Sequence, residues 1–393
     1  MLYRRFGRTE LPMPVLSCGG MRYQHKWQDI PWSDIPPASQ DNLEATIRRA
    51  LELGITHIET ARGYGSSEMQ LGKILPRLPR QQIIVQTKVA PEADPRQFLR
   101  NFETSLRYLN LDYVDLLGIH GINTPDLLHD ALKAGGCLDV AEQLVATGKV
   151  RFIGFSTHAP LPVIMQAVES NRFAYINLHW YYFLQVNWPA ILAAHERDMG
   201  VFIISPSDKG GKLYAPPQKL VDLCAPLSPM VFNDLFCLAH PQVHTLSIGA
   251  ARPTDFDEHL KTLAWLDQAD HVVPTIVARL ENALIEVVGE DFAKTWRQGL
   301  PDPESTPGGI NIPLILWLRN LALAYDMTDF ASTRYNMLGN SGHWVPGENA
   351  ARISPRQLAT CLVNSPHRER IPALLQEAHH LLGGNQVKRL SQS

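Results

Sequence analysis

The chain predicts a (β/α)8 barrel followed by an all-helical tail. Eight short, apolar, β-branched runs alternate with helical stretches over the first two-thirds of the sequence. Beyond about Asp270 the alternation stops, and helical runs separated by proline and glycine take over. A doubly wound open sheet has the same alternation. No glycine-rich G-x-G-x-x-G turn follows the first strand run, however, which argues against that alternative.

Taken in order, residues 2–11 read as a small hairpin ahead of the first strand, placed to close the barrel's bottom. The strand runs are residues 15–21, 57–61, 83–89, 114–120, 152–157, 175–180, 201–206 and 245–249. Most are apolar on both faces, as a parallel sheet covered by helices requires. One helix opens at Asp94-Pro95, with an acid at the N-cap and proline at the first helical position. It continues with Phe98, Leu99, Phe102, Leu106 and Leu109 on one face. In the tail, Thr306-Pro307-x4-Ile312-Pro313-x-x-Leu316 matches Ser365-Pro366-x4-Ile371-Pro372-x-x-Leu375, which suggests a duplicated helical module. The expected division is a barrel over 1–268 and a helical domain over 269–393.

Bulk properties narrow the function. At 393 residues, with 45% hydrophobic and 19% charged side chains, the chain suits a globular protein with a large buried core. A net charge of −3 suggests no nucleic acid or other polyanion as partner. No apolar run approaches the roughly 20 residues that span a bilayer, so no membrane role is expected. Five scattered cysteines without a C-x-x-C pair, and an N-terminus without an apolar signal core, point to a reducing, cytoplasmic setting.

The chemistry concentrates at strand ends. Glu59-Thr60-Ala61-Arg62-Gly63-Tyr64-Gly65 puts a carboxylate at the end of the second strand and a tyrosine on the following loop. Lys88 and His120 close the third and fourth strands. In this fold, active sites lie at these C-terminal ends. A phenol with an ordinary pKa of about 10 is a poor acid near neutrality, and an adjacent lysine cation is expected to lower that value. Glu59 would fix the lysine, and His120 would orient a carbonyl oxygen. Such a set protonates a carbonyl oxygen as hydride reaches its carbon. No side chain supplies hydride, so a nicotinamide cofactor is required.

These stretches resemble the aldo/keto reductase family. The resemblance rests on Tyr3-Arg4-Arg5-Phe6-Gly7-Arg8-Thr9, Gly54 to Ala61, Tyr64-Gly65-Ser66-Ser67-Glu68, Thr87-Lys88, Asp112 to His120, Gly148 to Ser156 and Ile248-Gly249-Ala250. It implies a TIM barrel that reduces the carbonyl group of a small aldehyde or ketone with NADPH. Tyr64 would be proton donor, Lys88 its modulator and His120 the substrate-orienting group. The family's aspartate falls on Glu59, and the added methylene implies weakened turnover that aspartate would restore.

The resemblance also implies a cofactor set: Gly20, Met21, Ser156, Thr157, Asn177, Ser205, Pro206, Lys209, Gly210, Gly211, Gly249, Ala250 and Arg252. Ser156 and Asn177 would hold the nicotinamide carboxamide. The loop from Ser205 to Lys212 has glycines and cations suited to a pyrophosphate. Arg252 would meet a 2′-phosphate. Five positions depart from the family pattern: Asn177 for glutamine, Thr157 for asparagine, Ile204 for a stacking aromatic ring, Asp255 for a polar or basic residue and His259 for asparagine. Trp27, Trp32 and Trp180-Tyr181-Tyr182 suit either an apolar substrate pocket or interdomain packing.

The tail resembles the C-terminal ferredoxin-like domain of one aldo/keto reductase subgroup. The carriers are Gly309-Ile310-Asn311-Ile312-Pro313, Tyr335 to Gly339 and Gly342 to Gly347. In that subgroup C-x2-C-x2-C-x3-C-P binds iron–sulfur clusters. Here the pattern falls on Trp296, Gly299, Asp302 and Thr306, and again on Pro355, Leu358, Cys361 and Ser365. Only Cys361 is a cysteine, so no iron–sulfur cluster and no metal is expected. The runner-up function is a cofactor-binding regulatory or scaffold protein with little turnover.

Overall fold

The computed structural model describes residues 1–352 and 355–388. It divides into two compact units. The first is Met1–Gly210 with Met230–Ala269, and the second is Gly211–Pro229 with Asp270–Ser393.

In the first unit, strands β1 (Tyr3–Arg5) and β2 (Pro12–Pro14) form an antiparallel pair, joined through a 3-10 turn at Gly7–Thr9. Eight strands follow: β3 (Leu16–Gly19), β4 (His57–Glu59), β5 (Ile84–Val89), β6 (Val114–His120), β7 (Val150–Ser156), β8 (Tyr175–Leu178), β9 (Gly200–Ile203) and β10 (Thr245–Ile248). They close into a barrel in the order β3-β4-β5-β6-β7-β8-β9-β10, and every neighbouring pair is parallel. This is the eight-stranded barrel that the alternation predicts. Several strands are shorter than predicted at their C-terminal ends, because the chain leaves the ladder where the functional loops begin. Residues 204–206 and 179–180, for example, lie outside β9 and β8.

The N-terminal hairpin plugs one end of the barrel. Phe6, Leu11 and Met13 join Ile84, Leu116, Tyr175 and Phe202 in one buried cluster. Gly200 is needed there, since a Cβ at that position would sit 2.5 Å from the Phe6 ring. Burying one such ring contributes roughly 2–3 kcal/mol. Above the plug lies a polar layer. Ser17 Oγ is 2.8 Å from His57 Nδ1 and 2.6 Å from Thr245 Oγ1. The helix Pro95–Leu109 begins as the sequence predicts, with the Asp94 carboxylate accepting from the Arg96 N–H. Its buried face is Phe98, Phe102, Ser105, Leu106 and Leu109, while Leu99 is only half-buried.

The second unit is helical. Both copies of the sequence repeat start a helix at their Ile-Pro pair, Ile312–Tyr325 and Ile371–Leu382. The two helices are tied by Arg319 to Glu377 at 2.7 Å. Residues 211–229, inserted after β9, belong to this unit and are held by Lys212 to Asp329 at 2.7 Å and by Arg279 donating to Ala225 O. The two cysteine-pattern segments run against each other: a Cβ at Gly299 would lie 2.0 Å from Asn364 O. The Pro355 side chain lies outside the described residues. Leu358 is buried, and Cys361 Sγ donates to Leu358 O. Among the described residues, no group of three or more His, Cys, Asp or Glu is arranged to hold a metal. No single helix among them is long and apolar enough to cross a membrane.

Candidate active site

Adjacent strand tips bring the four predicted side chains together. Glu59 ends β4, Lys88 lies one residue before the end of β5, and His120 ends β6. Lys88 pairs across the ladder with Gly118, and a Cβ there would lie 2.9 Å from Lys88 Cγ. A bare glycine on β6 therefore lets the lysine stem lie flat and reach toward β4. Its ammonium contacts the Glu59 carboxylate and donates to Thr60 O at 2.8 Å. Lys88 Nζ sits 4.8 Å from the Tyr64 ring centroid. The Tyr64 and His120 rings meet edge to face, with centroids 5.6 Å apart. The Glu59 carboxylate fits because Gly19, its ladder neighbour on β3, carries no side chain: a Cβ there would approach Oε2 to 3.3 Å.

The loop bearing Tyr64 is pinned from behind. Arg62 pairs with Glu68 at 2.7 Å and with Asp29, and its N–H donates to Lys88 O. Glu68 is fully buried and also accepts from Thr87 Oγ1 at 2.6 Å. Gly65, at φ +53°, has no room for a side chain, since a Cβ would lie 2.1 Å from Lys26 O. Ser66 Oγ accepts the backbone N–H groups of His25 and Lys26. The insertion after β3 is thereby fastened to the tyrosine loop, and Trp27 packs edge-on against Tyr64, with centroids 6.1 Å apart.

The electrostatics differ from the sequence expectation. Burial pushes the Tyr64 phenol above its ordinary value and Lys88 well below its own. The desolvation cost of a phenolate outweighs the pull of the ammonium, which is directed at Glu59 and Thr60. Tyr64 is thus held in its protonated form, which is the form a proton donor needs.

The predicted cofactor residues divide into groups. Ser156 and Asn177 are ladder neighbours at the tips of β7 and β8. Ser156 Oγ accepts from Gly121 N–H at 3.0 Å. Asn177 is fully buried, and neither its Oδ1 nor its Nδ2 has a hydrogen-bond partner among the described residues. An unmet buried amide costs about 1–3 kcal/mol per group, and a carboxamide is the natural complement. Thr157 is committed elsewhere, donating to Ile122 O at 2.7 Å and accepting from Ala159 N–H at 2.9 Å. At Gly20 the backbone is close-packed, since a Cβ would lie 2.5 Å from Glu59 O and 2.8 Å from the Tyr23 hydroxyl, and Met21 beside it is half-buried. Ile204 offers no ring for stacking, and its carbonyl accepts from Tyr181.

The loop after β9 is tightly wound. Ser205 is left-handed at φ +55°, Lys209 N–H donates to Ser205 O, and a Cβ at Gly210 would lie 2.0 Å from Pro206 O. Lys209 Nζ lies against His158 Nδ1 at 3.1 Å and His179 Nε2 at 3.3 Å. Gly211 falls in the second unit. At the tip of β10, Gly249 and Ala250 lead into Arg252, whose Nε donates to Asp255 at 3.0 Å. Asp255 also takes the Ala251 N–H at 2.8 Å, so a carboxylate already engages Arg252, the donor expected for a 2′-phosphate.

Residues 15–206 match the model of the aldo/keto reductase family. Among curated relatives, the L-galactose dehydrogenase of Arabidopsis thaliana is 34% identical over 34% of this chain and 43% of its own length. The methylglyoxal reductase YeaE of Escherichia coli is 30% identical over 45% of this chain and 62% of its own length. The chain spans about half the length of the curated relatives it matches. Among solved structures, an aldo-keto reductase from Bacillus halodurans (holo form) superposes with a TM-score of 0.57 at 21% identity, covering 70% of this chain and 96% of that one. One from Klebsiella pneumoniae in complex with NADPH gives 0.53 at 20% identity, covering 69% and 95%. At these identities the structural likeness establishes the fold.

Some contacts in this barrel escape sequence reasoning. Arg22 meets Asp208 at 3.1 Å, linking the loops after β3 and β9. His158 and His179 face each other at 2.8 Å, and their places just past two strand ends were the only available signal. Asp234 and His259 form a buried pair. The aromatic run after β8 resolves toward packing within the first unit: Trp180 is buried and stacks on Trp188 and Phe236 with centroids 4.9 and 5.0 Å away. Trp32 is exposed and lies over Lys73.

Proposed function

We propose that the barrel is an NADPH-dependent oxidoreductase that reduces a small aldehyde or ketone to an alcohol. The observation that carries this reading is the convergence of Tyr64, the Glu59–Lys88 pair and His120 on three adjacent strand tips. The unmet Asn177 amide beside Ser156 fits a nicotinamide carboxamide. When bound, the reduced cofactor would supply hydride to the carbonyl carbon. Tyr64 gives its hydroxyl proton to the oxygen as negative charge develops there. Lys88, paired with Glu59, stabilises the tyrosinate left behind, because an ammonium in a dry site interacts strongly with a new anion. His120, edge-on to Tyr64, orients the carbonyl oxygen toward the phenol.

Ser205, Pro206, Lys209 and Gly210 are proposed as the pyrophosphate loop. Gly20, Met21, Gly249 and Ala250 would line the cofactor, with Arg252 as a further candidate. Residues 1–268 are read as the reductase domain and 269–393 as a degenerate ferredoxin-like domain without a cluster. A cytoplasmic setting fits the five cysteines, all free thiols.

The test follows NADPH absorbance with a panel of simple aldehydes and ketones. Turnover by the native protein and its loss in Tyr64→Phe, with NADPH binding retained, is the expected result. Ile204 in the stacking position and the Arg252–Asp255 pair favour a second reading, a cofactor-binding regulatory protein. Tight binding without turnover of any carbonyl would support it.

A further inference from the structure

One row of the ladder runs Lys88, Gly118, Gly154, Tyr175, Gly200 across β5 to β9. Paired residues of a parallel ladder share a face, and Lys88 and Tyr175 are both buried inside the barrel. Branched aliphatic side chains normally fill such an interior. Here three positions of the row carry no side chain, and the other two carry long ones.

The two long side chains meet over the bare positions. Tyr175 lies flat on Gly154, where a Cβ would be 2.5 Å from three ring atoms. Its hydroxyl reaches as far as Gly118. A Cβ there would lie 3.5 Å from Tyr175 Oη, 2.9 Å from Lys88 Cγ and 3.4 Å from Lys88 Cδ. The phenol oxygen and the lysine stem therefore share the surface of one glycine. On the plug side the Tyr175 ring packs on Phe6, with centroids 5.8 Å apart. Phe6, Tyr175 and Lys88 thus follow one another from the closed end of the barrel to the ion pair.

Hydrogen bonding does not account for the Tyr175 hydroxyl. Its Oη has no hydrogen-bond partner among the described residues, and neither amide atom of its polar neighbour Gln86 has one. Phenylalanine would fill the slot over Gly154 without burying an unmet hydroxyl, which opposes folding in a dry interior. What the oxygen adds is reach, one atom further toward Gly118 and the lysine stem. A packing rule broken directly beneath a reacting group is expected where the position serves function.

Lys88 needs a support of this kind. Its ammonium is held by Glu59 and Thr60 O, but its four-carbon stem is flexible, and Gly118 beside it offers no side-chain wall. We propose that Tyr175 is a positioning residue for the reduction, a strut that props the Lys88 stem and sets the distance of its ammonium from the Tyr64 hydroxyl. The strut rests on the reductase reading given under Proposed function. The other titratable groups that face Lys88 are Glu59 and His57 from β4 and Tyr64 from its loop, and His120 from β6 faces Tyr64.

Steady-state kinetics of the full chain with NADPH and the best carbonyl substrate, between a pH of about 6 and about 10, tests the strut in Tyr175→Phe, Gly118→Ala and the double variant. Tyr175→Phe removes one oxygen and keeps the ring over Gly154. Its kcat should fall about fivefold with NADPH affinity unchanged. The alkaline limb of kcat/KM reports loss of the Tyr64 proton. An ammonium held further off stabilises the tyrosinate less, so that limb should move up by about half a pH unit. A merely structural defect lowers the amplitude and leaves the limb in place. Gly118→Ala pushes on the stem at Cγ. It should cost about tenfold in kcat in the native background and only about twofold in Tyr175→Phe, where the stem has space to yield. An unmoved limb, or effects of the two substitutions that simply multiply, overturns the strut and leaves the reductase reading standing. Absence of turnover of any carbonyl by the native protein removes both.

Discussion

Glu59 and Lys88 meet as a buried ion pair across the tips of β4 and β5, with the lysine stem lying over Gly118 and the carboxylate beside Gly19. Two glycines on flanking strands thus make room for a glutamate where the family pattern has aspartate.

That room changes the expected effect of substitution. The family pattern alone predicts that aspartate would restore activity. With Glu59 already touching Lys88, Glu59→Asp withdraws the carboxylate by one methylene and loosens the pair. We predict a fall in kcat/KM of about tenfold, on the order of 1.4 kcal/mol of transition-state stabilisation. Steady-state kinetics with the best carbonyl substrate checks it, and a rise would show that the aspartate geometry is superior.

Glu68 holds the Tyr64 loop through Arg62 while burial pushes its own carboxyl upward. Glu68→Ala should cost about 3 kcal/mol, because it leaves a largely buried guanidinium without that partner. Turnover should fall further than cofactor affinity, since Tyr64 loses its anchor. Urea unfolding and NADPH titration of the same variant separate the two effects, and unchanged kinetics would show that the loop is held by other contacts.

His57 is held neutral inside the barrel. Burial, helped by the Lys88 charge, pushes it from 6.5 down to about 3. As pH falls through that window the unfolded chain takes up a proton that the folded state refuses, so stability is lost toward acid. The loss attributable to His57 should reach about 3 kcal/mol by a pH of about 4. His244, pushed down to about 4, acts in the same direction. Urea midpoints across pH should fall less steeply in His57→Gln than in the native protein, and parallel curves would refute the assignment.

Phe6 closes the barrel end against Gly200 and Tyr175. Phe6→Ala should cost about 3–5 kcal/mol by opening a cavity in that plug. A loss of under about 1 kcal/mol on chemical denaturation would mean that the hairpin is not integral to the core.

Seven of the eight positions in the cysteine pattern of the tail lack a thiol. Purified protein should therefore carry no stoichiometric iron or acid-labile sulfide. Colorimetric assay of both checks this, and four irons per chain would overturn it.

Much of the fold was legible because strand and helix periodicities are local. The eight strands, the N-terminal hairpin and the Asp94 cap all follow from neighbours a few residues apart. The tyrosine, lysine, histidine and glutamate were legible because each sits on or just after a strand tip, and a closed parallel barrel gathers its tips. Side-chain direction was not. Lys209, read by sequence as part of a pyrophosphate loop, has its ammonium against two imidazoles, and Trp180, which suited either a substrate pocket or interdomain packing, stacks on Phe236 within the first unit. Nothing in the order of residues 234 and 259 announces that they pair.

The sequence by itself determined the barrel, the loops at its strand tips and the residue types available there, because hydrophobic period, turn residues and strand order are written along the chain. Only the tertiary structure decided the state of those groups. Burial set the phenol of Tyr64 above its usual range despite a nearby ammonium, and two glycines far apart in sequence let Glu59 reach Lys88. Desolvation and close approach depend on every neighbour in three dimensions, and no stretch of sequence specifies them locally.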